Sequence, residues 1–272
     1  MSISRNPSVK LIVCDVDGTL INQSEEMTKD LDVLRERIVA KEIPFTLASG
    51  RCLSMLENFI GALAIKLPVI ANNGATAIIG EKALWDDFID PMKLKPAILF
   101  ANEMDMVIIM GDGRKEVAYR HNAYIQNQIE KFGRYNHFHI PLESEWPQLK
   151  LQKLLIIDPE HPGRIDKVLE LLKPYAQDLN IVRYNDRSAD IMPHTASKGQ
   201  GLLRLTEQLG IDISEVMAIG DAQNDIEMIR TAGIGVAVGN AAEELKNAAD
   251  YVCTANNARG VLEAIDHFIC EK

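Results

Sequence analysis

The chain is short of basic residues. Its 29 Lys and Arg stand against 39 Asp and Glu, a formal net charge of −10 with histidine neutral. That deficit argues against a nucleic-acid binder and against attachment to an anionic membrane surface. No apolar stretch approaches membrane-spanning length, and no basic, apolar, small-residue leader opens the chain, so neither a span nor a targeting segment is expected. Cysteine is scarce as well. Cys14, Cys52, Cys253 and Cys270 show no paired spacing, which speaks against a thiolate metal site and predicts reduced thiols in a cytoplasmic protein. His121, His137, His139, His161, His194 and His267 lack metal spacing too, and His137 and His139 alternate as strand residues on a surface would. Internal repeats and low-complexity stretches are absent. What remains is ordinary for a globular protein, 47% apolar and 25% charged over 272 residues. That length supports a sizeable core and is near the size at which one domain divides into two.

The first 80 residues alternate strand and helix. Val9 and Leu11–Cys14 read as a buried parallel strand. Leu31, Leu34, Ile38 and Val39 form a helical stripe, Ile43–Ala48 a second strand, Leu56, Phe59, Ile60 and Leu63 a second helix, and Pro68–Ala71 a third strand. The rhythm changes between residues 83 and 189. Met106–Met110 and Val117–Arg120 look like strands joined by the turn Gly111-Asp112-Gly113, and Gln152–Asp158 and Ile181–Tyr184 like two more. A helix carrying Ile165, Val168, Leu169 and Leu172 lies between the last two. A sheet with helices on one face, an α+β pattern, suits this stretch better than a doubly wound one. Alternation resumes with a helix over 198–209, a strand over 216–219, and further helices and strands to a final helix. The expected fold is therefore α/β: a doubly wound, Rossmann-like parallel-sheet core from residues 1–82 and 190–272, with 83–189 inserted as an α+β cap domain.

Four segments fall at strand ends or helix starts. Asp15-Val16-Asp17-Gly18-Thr19 places two carboxylates where the first strand stops, the edge at which open α/β sheets bind ligands. Crowded acids there are costly unless a cation or a proton lies between them. A calcium loop does not fit, because Gly18 stands fourth and Leu20 sixth, although Glu26 lands twelfth. Cys14, beside these acids, reads as a packed strand residue rather than a nucleophile. Ser49-Gly50-Arg51 offers a hydroxyl and backbone N–H groups leading into a helix, as an anion cradle or as an N-cap. Ser197-Lys198-Gly199 puts a cation in a first helical turn, where the dipole disfavours it unless solvent or an anion is near. Gly220-Asp221-Ala222-Gln223-Asn224-Asp225 ends another strand with two acids and a carboxamide. Together, Asp15, Asp17 and Asp221 suit a small hard cation such as Mg²⁺, with Ser49 and Lys198 available to a phosphoryl group. With so negative a chain, any phosphate must be held locally. The glycines of Gly233–Gly239 lie inside an apolar run and do not form a dinucleotide loop.

In this order the four segments resemble the motifs of the haloacid dehalogenase (HAD) superfamily. Asn72-Asn73-Gly74-Ala75 and Ala189-Asp190-Ile191-Met192-Pro193 resemble its Cof-type subgroup with a large α/β cap, subclass IIB. The resemblance implies Asp15 as nucleophile, forming an aspartyl-phosphate, and Asp17 as acid toward the leaving alcohol and then base toward water. It implies Ser49, the Gly50 backbone, Lys198 and Asn224 around the phosphoryl oxygens. It implies Mg²⁺ on Asp15, the Asp17 carbonyl and Asp221, with Asp225 in support behind them. The expected activity is hydrolysis of a small organic phosphate ester, most readily a sugar phosphate. The alternatives are a sugar phosphomutase of the same superfamily and a non-catalytic sugar-phosphate sensor. No nucleic-acid or membrane partner is expected, and the oligomeric state, monomer or weak dimer, stays open. Cap residues such as Arg114, Arg120, His121, Tyr124 and Arg183 could meet the leaving group, and each also fits a plain surface position.

Overall fold

A computed structural model describes residues 9–22, 29–184 and 186–269. Cys270 and Glu26 lie outside the described residues. The chain divides into two compact units. One takes the chain up to Arg51, Met55–Leu84 and Ser197 onward; the other takes Cys52–Ser54 and Trp85–Ala196.

The first unit begins β1 (Leu11–Cys14), α1 (Lys29–Ala40), β2 (Phe45–Leu47), α2 (Leu53–Ala62), β3 (Val69–Ala71), β4 (Thr76–Ile79), with β5 (Lys82–Asp86) at its edge. All four residues of β1 are buried, as a strand covered on both faces requires. Helix α1 buries Leu31, Leu34 and Ile38, whereas Val39 is 58% exposed. The stripe at 3.6-residue spacing ends with Ile38, and Val39 falls off it. Strand β3 meets the parallel sheet only through a bridge between Ala48 and Ile70, and then folds back on β4 in antiparallel register, Ile70 opposite Ala77.

The second unit runs α3 (Pro91–Glu103), β6 (Val107–Gly111), β7 (Glu116–Ala118), α4 (Ala123–Phe132), β8 (Lys153–Ile157), α5 (Ile165–Leu172), β9 (Leu179–Arg183) and β10 (Ser188–Pro193). Its sheet has the order β7-β6-β8-β10-β9, antiparallel throughout. Alternation along β6 and β8 separates two faces. Ile108, Met110, Leu154 and Ile156 join Leu94, Ile98, Val168 and Leu172 of α3 and α5 in the larger core. Val107 and Ile109 join Ala118 and Ile125 of α4 in a smaller cluster. Helices thus cover part of both faces, against the expectation of one, because α4 carries its own apolar contact. The sequence pattern puts the end of the insertion at residue 189. Strand β10 instead pairs with both β8 and β9, Asp190 lying opposite Leu155 and Val182, and this unit extends through Ala196.

The chain then completes the first unit with α6 (Lys198–Leu209), β11 (Val216–Gly220), α7 (Ile226–Thr231), β12 (Ile234–Ala237), α8 (Glu243–Lys246), β13 (Tyr251–Val252) and α9 (Asn257–Phe268). The parallel sheet has the order β13-β12-β11-β1-β2. From β1 the chain first adds β2 on one side, and later β11, β12 and β13 on the other. The reversal falls between β1 and β11, whose carboxyl ends define the crevice where such sheets bind ligands.

Candidate active site

Asp15 follows β1 and Asp221 follows β11, the strands on either side of that reversal, paired in register with Cys14 opposite Ile219. Asp225 closes the helical turn Gln223–Asp225 after β11, just before α7, and turns back. One of its oxygens accepts the N–H groups of Asp221 and Ala222 at 3.1 and 3.0 Å. Lys198 opens α6 beneath a Ser197 cap, whose hydroxyl accepts from Gln200 N at 3.0 Å. Its ammonium is buried and donates to Asp15 Oδ1 at 2.5 Å and to Asp225 Oδ1 at 2.6 Å. A cation at a helix start does need an anion here, and it has two.

Ligand atoms of Asp15, Asp221 and Asp225 lie within 4.8 Å of one another, and among the described residues no other group of His, Cys, Asp and Glu could hold an ion this way. Three carboxylates stand near one ammonium, which contacts Asp15 and Asp225, so the cluster carries excess negative charge, buried at Asp15 and Asp225 and half-buried at Asp221. The consequences agree with that imbalance. Burial, and then the carboxylates of Asp225, Asp17 and Asp221, push the Asp15 carboxyl well above its ordinary range against the pull of Lys198. Asp221 is pushed up to about 6 by burial and by the charge of Asp225. Lys198 is held charged, because Asp15 and Asp225 outweigh the burial that would lower it. An all-oxygen set with surplus negative charge suits a hard divalent cation. Since both Asp225 oxygens are engaged by Lys198 and the backbone, Asp15 and Asp221 are the carboxylates best placed to hold it.

Gly18 and Thr19 close the pocket around Asp221. The Thr19 hydroxyl donates to Asp221 Oδ1 at 2.9 Å. Gly18 has φ +85°, and a Cβ there would come within 2.1 Å of Asp221 Oδ2, so only glycine fits. Cys14 is fully buried, and burial pushes its thiol well above the usual range, the state of a packing residue.

The remaining predicted residues sit nearby with specific partners. Ser49 is buried, its N–H donates to Ile70 O at 2.9 Å, and its hydroxyl accepts from Arg51 N at 3.2 Å. Helix α2 begins only at Leu53, so Ser49 is not its N-cap. Gly50 lies against Asn73, whose amide nitrogen would be 3.2 Å from an added Cβ. Asn224 donates from Nδ2 to Asn73 Oδ1 at 3.0 Å. The Asp17 side chain does not join the acidic cluster; it is half-exposed and held by Arg51. Sequence reasoning passed over Arg51 and Asn73. Their signals were an arginine directly after Ser-Gly, and the Asn-Asn-Gly run, whose Asn72 and Asn73 take φ of 47° and 53°, a region asparagine tolerates.

Of the candidates in the second unit, Arg120 pairs with Asp105, Arg183 Nη1 donates to Asp166 at 2.6 Å, and His121 bonds Gln126 at 2.8 Å. Tyr124 packs beside the smaller cluster of that unit, and Arg114 follows Asp112, which accepts its backbone N–H at 3.0 Å.

A parallel sheet reversed between β1 and β11, with a lysine-bridged acidic pocket at that point, defines the class. The chain belongs to the haloacid dehalogenase-like hydrolases, whose family model matches residues 12–265. It is 28% identical over 99% of its length to all of the 5-amino-6-(5-phospho-D-ribitylamino)uracil phosphatase YcsE of Bacillus subtilis. It is 27% identical over 96% to all of the phosphatase YwpJ from the same organism. Among solved structures it matches a haloacid dehalogenase-like hydrolase from Bacteroides thetaiotaomicron at TM-score 0.84 and 28% identity, covering 96% of this chain and 100% of that one. The fold is also that of the HAD subclass IIB sugar phosphatase BT4131, at TM-score 0.79 and 24% identity, covering 96% and 99%. The protein is a phosphatase of this superfamily, a phosphoric monoester hydrolase. No helix among the described residues is long and apolar enough to cross a membrane.

Proposed function

We propose that this phosphatase is Mg²⁺-dependent, hydrolyses small organic phosphate esters, sugar phosphates foremost, and works through an aspartyl-phosphate on Asp15. The contact of Lys198 with both Asp15 and Asp225, next to Asp221, carries the reading. It joins a carboxylate nucleophile, a fixed cation and an acidic metal set in one pocket, buried at Asp15, Lys198 and Asp225 and half-buried at Asp221. Bound Mg²⁺ would neutralise the surplus charge on Asp15 and Asp221 and let a phosphate dianion approach an anionic nucleophile.

Asp15 then attacks phosphorus as the bond to the leaving oxygen breaks, and Lys198 balances charge on the phosphoryl oxygens. Ser49 and the Gly50 backbone line the same group from the end of β2. Asp17, standing apart from the acidic cluster, gives a proton to the leaving oxygen and later takes one from the water that attacks the aspartyl-phosphate. The second unit is read as the substrate-selecting cap.

A phosphate-release screen over sugar phosphates, nucleotides and cofactor phosphates, compared by kcat/KM, tests the substrate class. Hexose 6-phosphates should lead; a nucleotide-only profile would remove the sugar-phosphate reading. Hexose 1-phosphate isomerised without free phosphate would mark a mutase, and tight binding without turnover a sensor. Asp15→Asn should abolish turnover while leaving the thermal midpoint within a few degrees of wild type, and retained activity would take Asp15 out of its role.

A further inference from the structure

Arg51 is a buried arginine whose guanidinium is directed at a half-exposed carboxylate. Its Nε donates to Asp17 Oδ2 at 2.8 Å and its Nη2 to Asp17 Oδ1 at 2.5 Å, so both carboxylate oxygens are gripped. The Arg51 side chain is 8% exposed and that of Asp17 51%. The guanidinium carbon lies 5.3 Å from the centre of the Phe59 ring of α2. The backbone of the Asp17 loop is pinned independently, Gly18 N donating to Ile21 O at 2.9 Å.

An exposed ion pair contributes little, because water and salt screen it and two long side chains must be ordered to make it. Burying a guanidinium is costly, and solubility alone would leave Asp17 to water. The two-point grip on a carboxylate is particular to the planar arginine fork; lysine offers one point charge. Stacking on Phe59 immobilises the fork in turn. Phe59 thus holds the guanidinium over its ring, and the guanidinium's two hydrogen bonds orient the Asp17 carboxyl group.

We propose that Arg51, seated on Phe59, is a positioning residue that aims Asp17 at the oxygen of the departing alcohol. The proposal rests on the reading of Asp17 as acid and base. In the first half-reaction an Asp15 oxygen forms a bond to phosphorus, the ester P–O bond breaks, and its electron pair stays on the leaving oxygen. The proton that neutralises that oxygen comes from the Asp17 carboxyl, which takes it from the attacking water when the aspartyl-phosphate of the preceding turnover is hydrolysed. Transfer demands heavy-atom approach within about 3 Å, and a misplacement of about 1 Å costs on the order of 100-fold. A leaving group stable as an anion needs no such proton.

The test compares kcat/KM for hexose 6-phosphate, an alkyl ester, with that for 4-nitrophenyl phosphate, in wild type, Arg51→Lys, Phe59→Leu, Asp17→Asn and the Arg51→Lys/Asp17→Asn double variant, each checked by thermal midpoint. Arg51→Lys should lose roughly 10- to 100-fold on the alkyl ester and less than about threefold on the nitrophenyl ester. Phe59→Leu, which keeps the apolar contact but removes the ring, should show the same asymmetry at roughly 3- to 10-fold, and decides the matter if Arg51→Lys does not fold. The double variant should be no worse than Asp17→Asn, because Arg51 acts through Asp17. No loss, or equal loss on both esters, in Arg51→Lys, with Asp17→Asn still losing more on the alkyl ester, overturns the positioning role alone. Equal loss in Asp17→Asn overturns the acid role of Asp17 and the positioning role with it.

Discussion

Lys198 shows how much a single residue can be constrained by burial. Its ammonium is surrounded by carboxylates and shut off from solvent, so removing it leaves acids with no counter-charge. Breaking a buried ion pair from one side costs about 3–5 kcal/mol. Lys198→Met should therefore lower the unfolding free energy by about that amount in urea titrations with chelator, and Mg²⁺ should recover part of it. A loss under 1 kcal/mol would show that the pocket is wetter than its geometry indicates. Asp221 supplies a pH signature. Burial and the charge of Asp225 push its carboxyl up to about 6. Below that pH a proton occupies the group that would hold the cation, and above it the group is charged and ready. Mg²⁺ affinity should thus weaken as pH falls through 6, by about tenfold per pH unit from Asp221 alone and more steeply where the raised Asp15 carboxyl also takes a proton. Calorimetric titration at pH 5, 6, 7 and 8 checks this, and stronger binding on acidification would exclude Asp221 as a ligand.

At the scale of elements, the site depends on how closely loops approach helix starts. Gly74 ends the turn between β3 and β4 with φ +97°, and a Cβ there would lie 2.1 Å from the carbonyl oxygen of Ser197, the cap of α6. Backbone and turn are in direct contact, which keeps Lys198 at its depth. Gly74→Ala should cost roughly 2–4 kcal/mol through strain and displacement of the cap. Ser197→Ala, which removes only the cap hydrogen bond, should cost about 1 kcal/mol. Chemical denaturation of both variants separates the two, and equal costs would mean that close approach is not what seats α6. In this unit β1, β11 and α6 were legible from periodicity, because each has a clear apolar pattern, whereas β4 was not. The attachment of β10 was not. Ala189–Pro193 is a mostly apolar segment, broken by Asp190, that borders the returning core, and nothing local says that its partners are β8 and β9 rather than β1 or β11.

For the whole molecule, charge is the variable that matters. A net charge of −10 repels a phosphate dianion at long range, while Lys198 attracts only at contact. Salt screens the former over about 8–10 Å and scarcely reaches the latter. Raising ionic strength from 10 to 200 mM at constant free Mg²⁺ should leave kcat/KM unchanged or increase it up to a few-fold. A steep fall would reveal a basic funnel that outweighs the net charge.

The alternation of strand and helix, the interruption by a second unit, and the identity of Asp15, Ser49, Lys198 and Asp221 as strand-end or helix-start residues were all determined by the sequence alone. Apolar periodicity and turn chemistry are local properties, and acids at strand ends are conspicuous in one dimension. Tertiary structure alone decided the partners. It made the acidic cluster Asp15, Asp221 and Asp225 rather than one containing the Asp17 side chain, and gave Asp17 to Arg51. Which carboxylate meets which cation depends on the register of β1 beside β11 and on the depth of α6. Those are long-range packing results, and no spacing along the chain encodes them.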